Sequence, residues 1–261
     1  MADDCNLKHD CMKTQISGIA LFLVCFISCK KETTFSNNPD ANDLHNKAVG
    51  ASANQMLSAA IYKSLKIEIQ YMTGYAPDAG ALSQLQNVLG VYLNKPSGIT
   101  IVTKEISASS SATLSIDQVR TIEEQNRTVF TTGDQLGVYV LYTNGNFTDN
   151  NVLGAAFRNT SIVIFGKTIH DNSGALGQTS RTKLEGTVLD HEFGHIIGLV
   201  DLGSPMQTNH KDASHGNHCN NTNCLMYYAS ETTDILGFLL TGNIPSFDAN
   251  CIADMHANGG K

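Results

Sequence analysis

What would mark a membrane-spanning or nucleic-acid-binding chain is missing from this sequence. Its one conspicuous apolar stretch, Ile16 to Ser28, falls well short of the ~20 residues a helix needs to cross a bilayer. Lys and Arg together number 17 against 24 Asp and Glu, and they form no basic cluster. A mildly acidic chain of this kind argues against nucleic acid as a partner. Tryptophan is absent and proline occurs only five times. There are no internal repeats and no low-complexity tracts, so the chain reads as ordinary globular protein.

The N-terminus carries the first signal. Met12-Lys13 leads into the apolar stretch, which ends in Phe26-Ile27-Ser28-Cys29. A charged start, a short apolar core and a small residue before the cut describe a secretory signal. Residues 1–28 are therefore expected to be removed, with 1–11 as extra sequence ahead of a natural-looking start at Met12. The tetrapeptide resembles the lipobox of bacterial lipoproteins, with Phe26 where Leu is usual. That resemblance implies that Cys29 becomes the first mature residue and bears lipid. The protein would then lie outside the cytoplasm, anchored to the bacterial outer membrane on its periplasmic or cell-surface side. Residues 29–46 are polar and aperiodic and read as a flexible tether. Residues 47–261 suffice for one domain with an ample core. In an oxidising compartment, one disulfide among Cys219, Cys224 and Cys251 is expected, with the pairing open.

Within the domain, strands alternate with helices. Leu65, Ile67, Ile69 and Tyr71 alternate as in a half-buried strand, and Ile99 to Thr103, Leu136 to Tyr142, Val152 to Phe157 and Ser161 to Phe165 read as further strands. Leu82, Leu85, Val88, Leu89 and Tyr92 fall at helical spacing, and Pro96 stops that helix. Ser115 to Phe130 reads as a helix with Ser115 as N-cap and Gln118 three residues on, a capping box. A long helix runs from about Thr182 to Leu199, and Ser246 to His256 is helical with Phe247, Cys251, Ile252 and Met255 inward. The pattern predicts a mixed α/β (α+β) domain.

The chemistry concentrates in Asp190-His191-Glu192-Phe193-Gly194-His195-Ile196-Ile197-Gly198-Leu199-Val200-Asp201. His191 and His195, four apart, project from one helix face a turn from each other. Two imidazoles so placed can bind one Zn²⁺ and leave room for a third protein ligand and a water. Glu192 lies between them, placed to take a proton from that water, whose pKa zinc lowers to about 7. Gly198 offers a sharp turn after the helix. Five of the nine histidines lie between 191 and 218, and Cys224-Leu225-Met226-Tyr227-Tyr228 follows.

H-E-x-x-H-x-x-G followed by a methionine turn resembles the metzincin clan of zinc peptidases. The resemblance covers His191 to Tyr228 in detail. It implies a twisted mixed sheet with an active-site helix and a smaller C-terminal subdomain. It further implies that Met226 forms a floor beneath the metal and that Tyr228 ligates zinc or stabilises the oxyanion. Counted forward from Gly198, the clan's third ligand falls on Asp201. Counted back from the methionine, it falls on His218, with the His-to-Met spacing of matrix metalloproteinases and with cysteines placed as in archaemetzincins. His218 is preferred because histidine is the commoner ligand, Asp201 stands as the alternative, and His210 and His215 are outside candidates. The archaemetzincin pattern includes a distal Cys-x-x-Cys for a second zinc. Only Cys251 lies beyond the turn here, so no second structural zinc is expected. Val152 to Ala156 resembles the clan's edge strand, along which a peptide substrate pairs.

The expectation is a zinc endopeptidase with Zn²⁺ held by His191, His195 and His218 (or Asp201), Glu192 as general base, and a peptide or protein substrate. The rivals are a surface binding or adhesion protein that kept a metalloprotease fold, and a zinc hydrolase acting on a non-peptide amide. Intact Glu192 speaks against a binder, which has no use for a base beside the metal.

Overall fold

Alternation at Leu65, Ile67 and Ile69 predicts a strand with one buried face. The computed structural model, which describes residues 44–261, buries all three and also Glu68 and Gln70 on the opposite face. The expected leader, Cys29 and the tether as far as residue 43 lie outside the described residues. Leu44 already packs in the main core, so the folded chain reaches back into the stretch expected as tether.

The order of elements explains why both faces of that strand are covered. A short helix, Ala53–Leu57 (α1), precedes Ser64–Met72 (β1), Ala79–Tyr92 (α2) and Ile99–Ile106 (β2). Thr113–Leu114 (β3), Ile116–Asn126 (α3), Gln135–Tyr142 (β4) and Asn146–Phe147 (β5) follow. Then come Gly154–Arg158 (β6), Ser161–Ile164 (β7), Gly166–Asp171 (α4) and Arg181–Ile196 (α5). Beyond α5 the chain forms a smaller C-terminal part with two 3₁₀ turns, Tyr228–Glu231 and Thr233–Ile235, and helices Leu236–Thr241 (α6) and Ala249–Ala257 (α7). The main sheet has the order β2-β1-β4-β7-β6; its first four strands are mutually parallel and β6 runs antiparallel along the edge. Parallel neighbours need crossovers, which α2 and α3 supply. The fold is therefore α/β with a mixed sheet. Among the described residues no helix is long and apolar enough to cross a membrane.

Alternating side chains divide between two cores. Val138 and Val140 join Leu85 and Leu89 of α2 and Leu184, Val188 and Phe193 of α5 on one face. Tyr139 and Leu141 join Val119 of α3 on the other. The capping box forms, with Ser115 and Gln118 each accepting from the other's backbone N–H, but α3 ends at Asn126, short of Phe130. Arg127 then turns inward to pair with Glu123 at 2.7 Å, and Thr128 and Val129 donate their backbone N–H groups to buried Glu68 at 2.8 and 2.7 Å. Continuing the helix would forfeit these bonds and leave Glu68 buried without them. The pairing β3–β5 was not legible, being two residues long on each side.

Helix α5 crosses the sheet beside edge strand β6. Gly154 makes this approach possible: a Cβ there would lie 2.6 Å from Val188 Cγ1. Glu185 of α5 is buried, its Oε1 accepting from Asp78 N at 2.7 Å and from the Tyr142 hydroxyl at 3.0 Å. Burial pushes its pKa up to about 7, against the pull of those bonds. A folded-state pKa above the unfolded value means that this group's contribution is present at acid pH and is lost as pH rises through about 7. Glu185→Gln is therefore expected to match wild type near pH 5 and to exceed it near pH 8 by on the order of 2–3 kcal/mol. Parallel denaturation curves across that range, showing a constant wild-type-to-variant difference, would refute this.

Candidate metal centre

Ser180 caps α5, its hydroxyl accepting from Lys183 N, and the helix is buried from Leu184 to Ile196. Helical spacing brings the Nε2 atoms of His191 and His195 to 3.0 Å. After Ile196 the chain must leave at once. Gly198 takes φ +82°, and a Cβ there would lie 2.7 Å from Ser204 N, so the reversal needs glycine twice over. Val200 and Asp201 follow with φ 51° and 68°. The chain then loops through 202–217 and returns with His218, whose ring stacks on His191 at 5.3 Å and meets His195 edge-on at 5.1 Å.

The hydrogen bonds of the rings determine where their lone pairs point. His191 Nδ1 donates to Leu225 O at 2.7 Å, and His218 Nδ1 donates to His215 O at 2.6 Å. Each ring therefore holds its proton on Nδ1 and turns a bare Nε2 inward. Burial pushes the pKa of His195 down to about 4, so this ring is neutral near pH 7. Glu231 completes the ring, with Oε2 3.6 Å from the Nε2 atoms of His191 and His195, and Oε1 3.3 Å from that of His218. Donors 2.0–2.1 Å from a tetrahedral ion lie about 3.3 Å apart. Three nitrogen lone pairs and a carboxylate facing one point repel each other unless a cation sits among them. The residues therefore fit a zinc ion.

Glu192 stands beside this ring, fully buried. Its Oε2 accepts from Ala156 N of β6 at 2.6 Å, and its Oε1 has no hydrogen-bond partner among the described residues. Burial first, and then the charge of Glu231, hold its carboxyl well above the usual range, while the Ala156 amide pulls the other way. Glu231 lies against the same three nitrogens at 3.3–3.6 Å, and with those nitrogens bare it receives no hydrogen bond from them.

The structure places the other sequence candidates elsewhere. Asp201 is largely exposed and pairs with Lys211 at 2.8 Å. Tyr228 stacks on His215 at 3.8 Å. Met226 lies against the metal helix, where a Cβ on Gly194 would come within 2.1 Å of its Sδ. Glu231 had no sequence signal, since a glutamate five residues past the methionine matches no ligand spacing considered above.

The cysteine expectation needs correction. Cys219, Cys224 and Cys251 are all free and buried. Cys224 and Cys251 come to 3.6 Å between sulfurs, beyond the ~2.05 Å of a bond. Cys219 and Cys251 instead converge with His210 and Asp248 on a second point, His210 Nδ1 being 3.4 Å from Cys219 Sγ and 3.9 Å from Cys251 Sγ. Hydrogen bonds from Cys224 and Cys251 hold the Cys219 thiol below its ordinary range. His210 Nε2 is anchored by Asp254 at 2.8 Å, and Asp248 approaches Cys219 at 3.4 Å. Sulfur and nitrogen ligands on a tetrahedral zinc would lie about 3.5–3.8 Å apart. Contrary to the sequence expectation, the fold thus assembles a second candidate metal cluster. Its histidine comes from 202–217, where sequence spacing offered no partner for Cys251.

No protein-family model and no curated protein matches the chain. Among solved structures it is similar to the crystal structure of archaemetzincin from Methanopyrus kandleri, with a TM-score of 0.49 and 17% sequence identity, over 75% of this chain and 96% of that one.

Gly194→Ala is expected to lower stability by on the order of 1–3 kcal/mol, because the new methyl must displace Met226. A melting temperature unchanged by this substitution would show that the contact between helix and methionine is not tight.

Proposed function

We propose that this chain is a zinc-dependent peptidase, metzincin-like in its use of His191, His195 and His218 to hold the ion. The observation that carries this reading is Glu192: a fully buried carboxylate with one oxygen tied to Ala156 N and the other unpartnered, beside three converging imidazoles. A zinc ion held there would polarise a scissile carbonyl and acidify a water. Glu192 Oε1 takes the proton from the attacking water and returns it to the leaving nitrogen. Its raised affinity for a proton suits it to hold one between the two steps. The Ala156 amide keeps the carboxylate from turning away. Strand β6 forms the sheet's edge, so its outer side is where an extended peptide would pair.

In the same reading, His210, Cys219, Asp248 and Cys251 hold a second, structural zinc. It would pin His218, next to Cys219. The substrate is a peptide or protein, not nucleic acid, and lipid on Cys29 keeps the enzyme outside the cytoplasm at the bacterial outer membrane. The rival, a surface binding protein on the same fold, leaves the buried base without a role.

Glu192→Ala is expected to retain zinc and lose hydrolysis of casein, which chelator should also abolish in wild type. Substantial turnover by that variant would overturn the mechanism. Metal analysis should find two zinc ions per chain, with His195→Ala and Cys251→Ser each losing one. A single zinc that survives Cys251→Ser would remove the second site.

A further inference from the structure

Glu231 does not reach the imidazoles on a free loop. Leu153 N donates to Glu231 O at 2.8 Å and Thr233 N donates to Asn151 O at 2.9 Å, on either side of an antiparallel bridge between Val152 and Thr232. The Thr233 hydroxyl adds a bond to Asn151 Oδ1 at 3.2 Å. Residues 231–233 thus pair, strand-fashion, with the segment that leads directly into β6, the edge assigned above to substrate. From that backbone the Glu231 side chain turns inward, only 25% exposed, to within 3.3–3.6 Å of all three Nε2 atoms.

This arrangement is at odds with an open catalytic centre. Zinc sites that do chemistry keep a coordination position for water or substrate, whereas four protein ligands make a closed, structural type of site. Here the fourth group stands where the open position belongs, yet Glu192, which has a use only when water can enter, is kept in place beside it. The difficulty disappears once Glu231 leaves. Its tether is light: two backbone hydrogen bonds and one hydroxyl, the kind of pairing an incoming extended chain replaces bond for bond.

We propose that Glu231 is a displaceable fourth ligand, carried on segment 231–233 as a built-in pseudo-substrate that holds the metal centre shut until a peptide takes its place on the edge. This rests on the peptidase reading. Inside one chain such a ligand acts at high effective concentration, so even weak pairing keeps the site closed when substrate is scarce.

The test uses the full chain and two variants. Glu231→Gln keeps the shape and removes the charge. Thr233→Pro keeps the carboxylate and removes the N–H donated to Asn151, at the first position of a 3₁₀ turn where proline is tolerated. Three quantities are measured: zinc affinity by competition with a chromophoric chelator, the visible spectrum of the cobalt(II)-substituted protein, and casein turnover at saturating zinc. Glu231→Gln is expected to weaken zinc binding roughly tenfold or more, to alter the cobalt spectrum, and yet to raise turnover. Thr233→Pro is expected to raise turnover as well. Unchanged affinity and spectrum in Glu231→Gln, or no rise in turnover in either variant, overturns the closure while leaving the peptidase reading intact. If wild type binds no zinc at His191, His195 and His218, both fall together.

Discussion

Three imidazoles turn bare nitrogens toward one point, and the surrounding chain is arranged to keep them there. The backbone carbonyls of Leu225 and His215 accept the Nδ1 protons of His191 and His218 and so select the tautomer in each ring. Those carbonyls belong to the segment that follows α5, not to α5 itself. The helix therefore supplies two imidazoles, while their orientation depends on how the returning chain packs against it. That packing is tight where it can be checked: Gly194 admits Met226 and Gly198 admits the reversal at Ser204.

The second cluster belongs to the same constraint. A long loop between Gly198 and His218 would otherwise leave the third imidazole on a mobile return strand. Instead, Cys219 N donates to Met226 O at 2.7 Å, and Asn220 N donates to His210 O at 2.8 Å. The sulfurs of Cys219, Cys224 and Cys251 gather next to these bonds, and α7 contributes both Cys251 and the Asp254 carboxylate that holds His210. The C-terminal helix is thus tied to the segment that returns after α5 through side chains that could share an ion, where a disulfide would have tied only two of them.

Burial, and then the charge of Glu231, hold the Glu192 carboxyl well above its usual range. Edge strand β6 joins in through a single amide, Ala156 N, which fixes Glu192.

Much of this could be read from residue order alone, and the reason is locality. The repeat of two at Leu65, Ile67 and Ile69, the Ser115–Gln118 cap, and the i, i+4 spacing of His191 and His195 are properties of a single strand, cap or helix, which hold whatever the element packs against. For the third ligand, residue order left Asp201 and His218 both open; only the folded loop pairs Asp201 with Lys211 and brings His218 under the helix. Glu231 and the His210–cysteine cluster left no trace at any spacing. They arise where segments distant in sequence meet: 231–233 against 151–153, and 210 against 219, 248 and 251. Residue order determined the helix that offers two nitrogens and a base. The tertiary structure decided what else faces them, because a convergence of side chains from separate segments exists only once the chain has closed on itself.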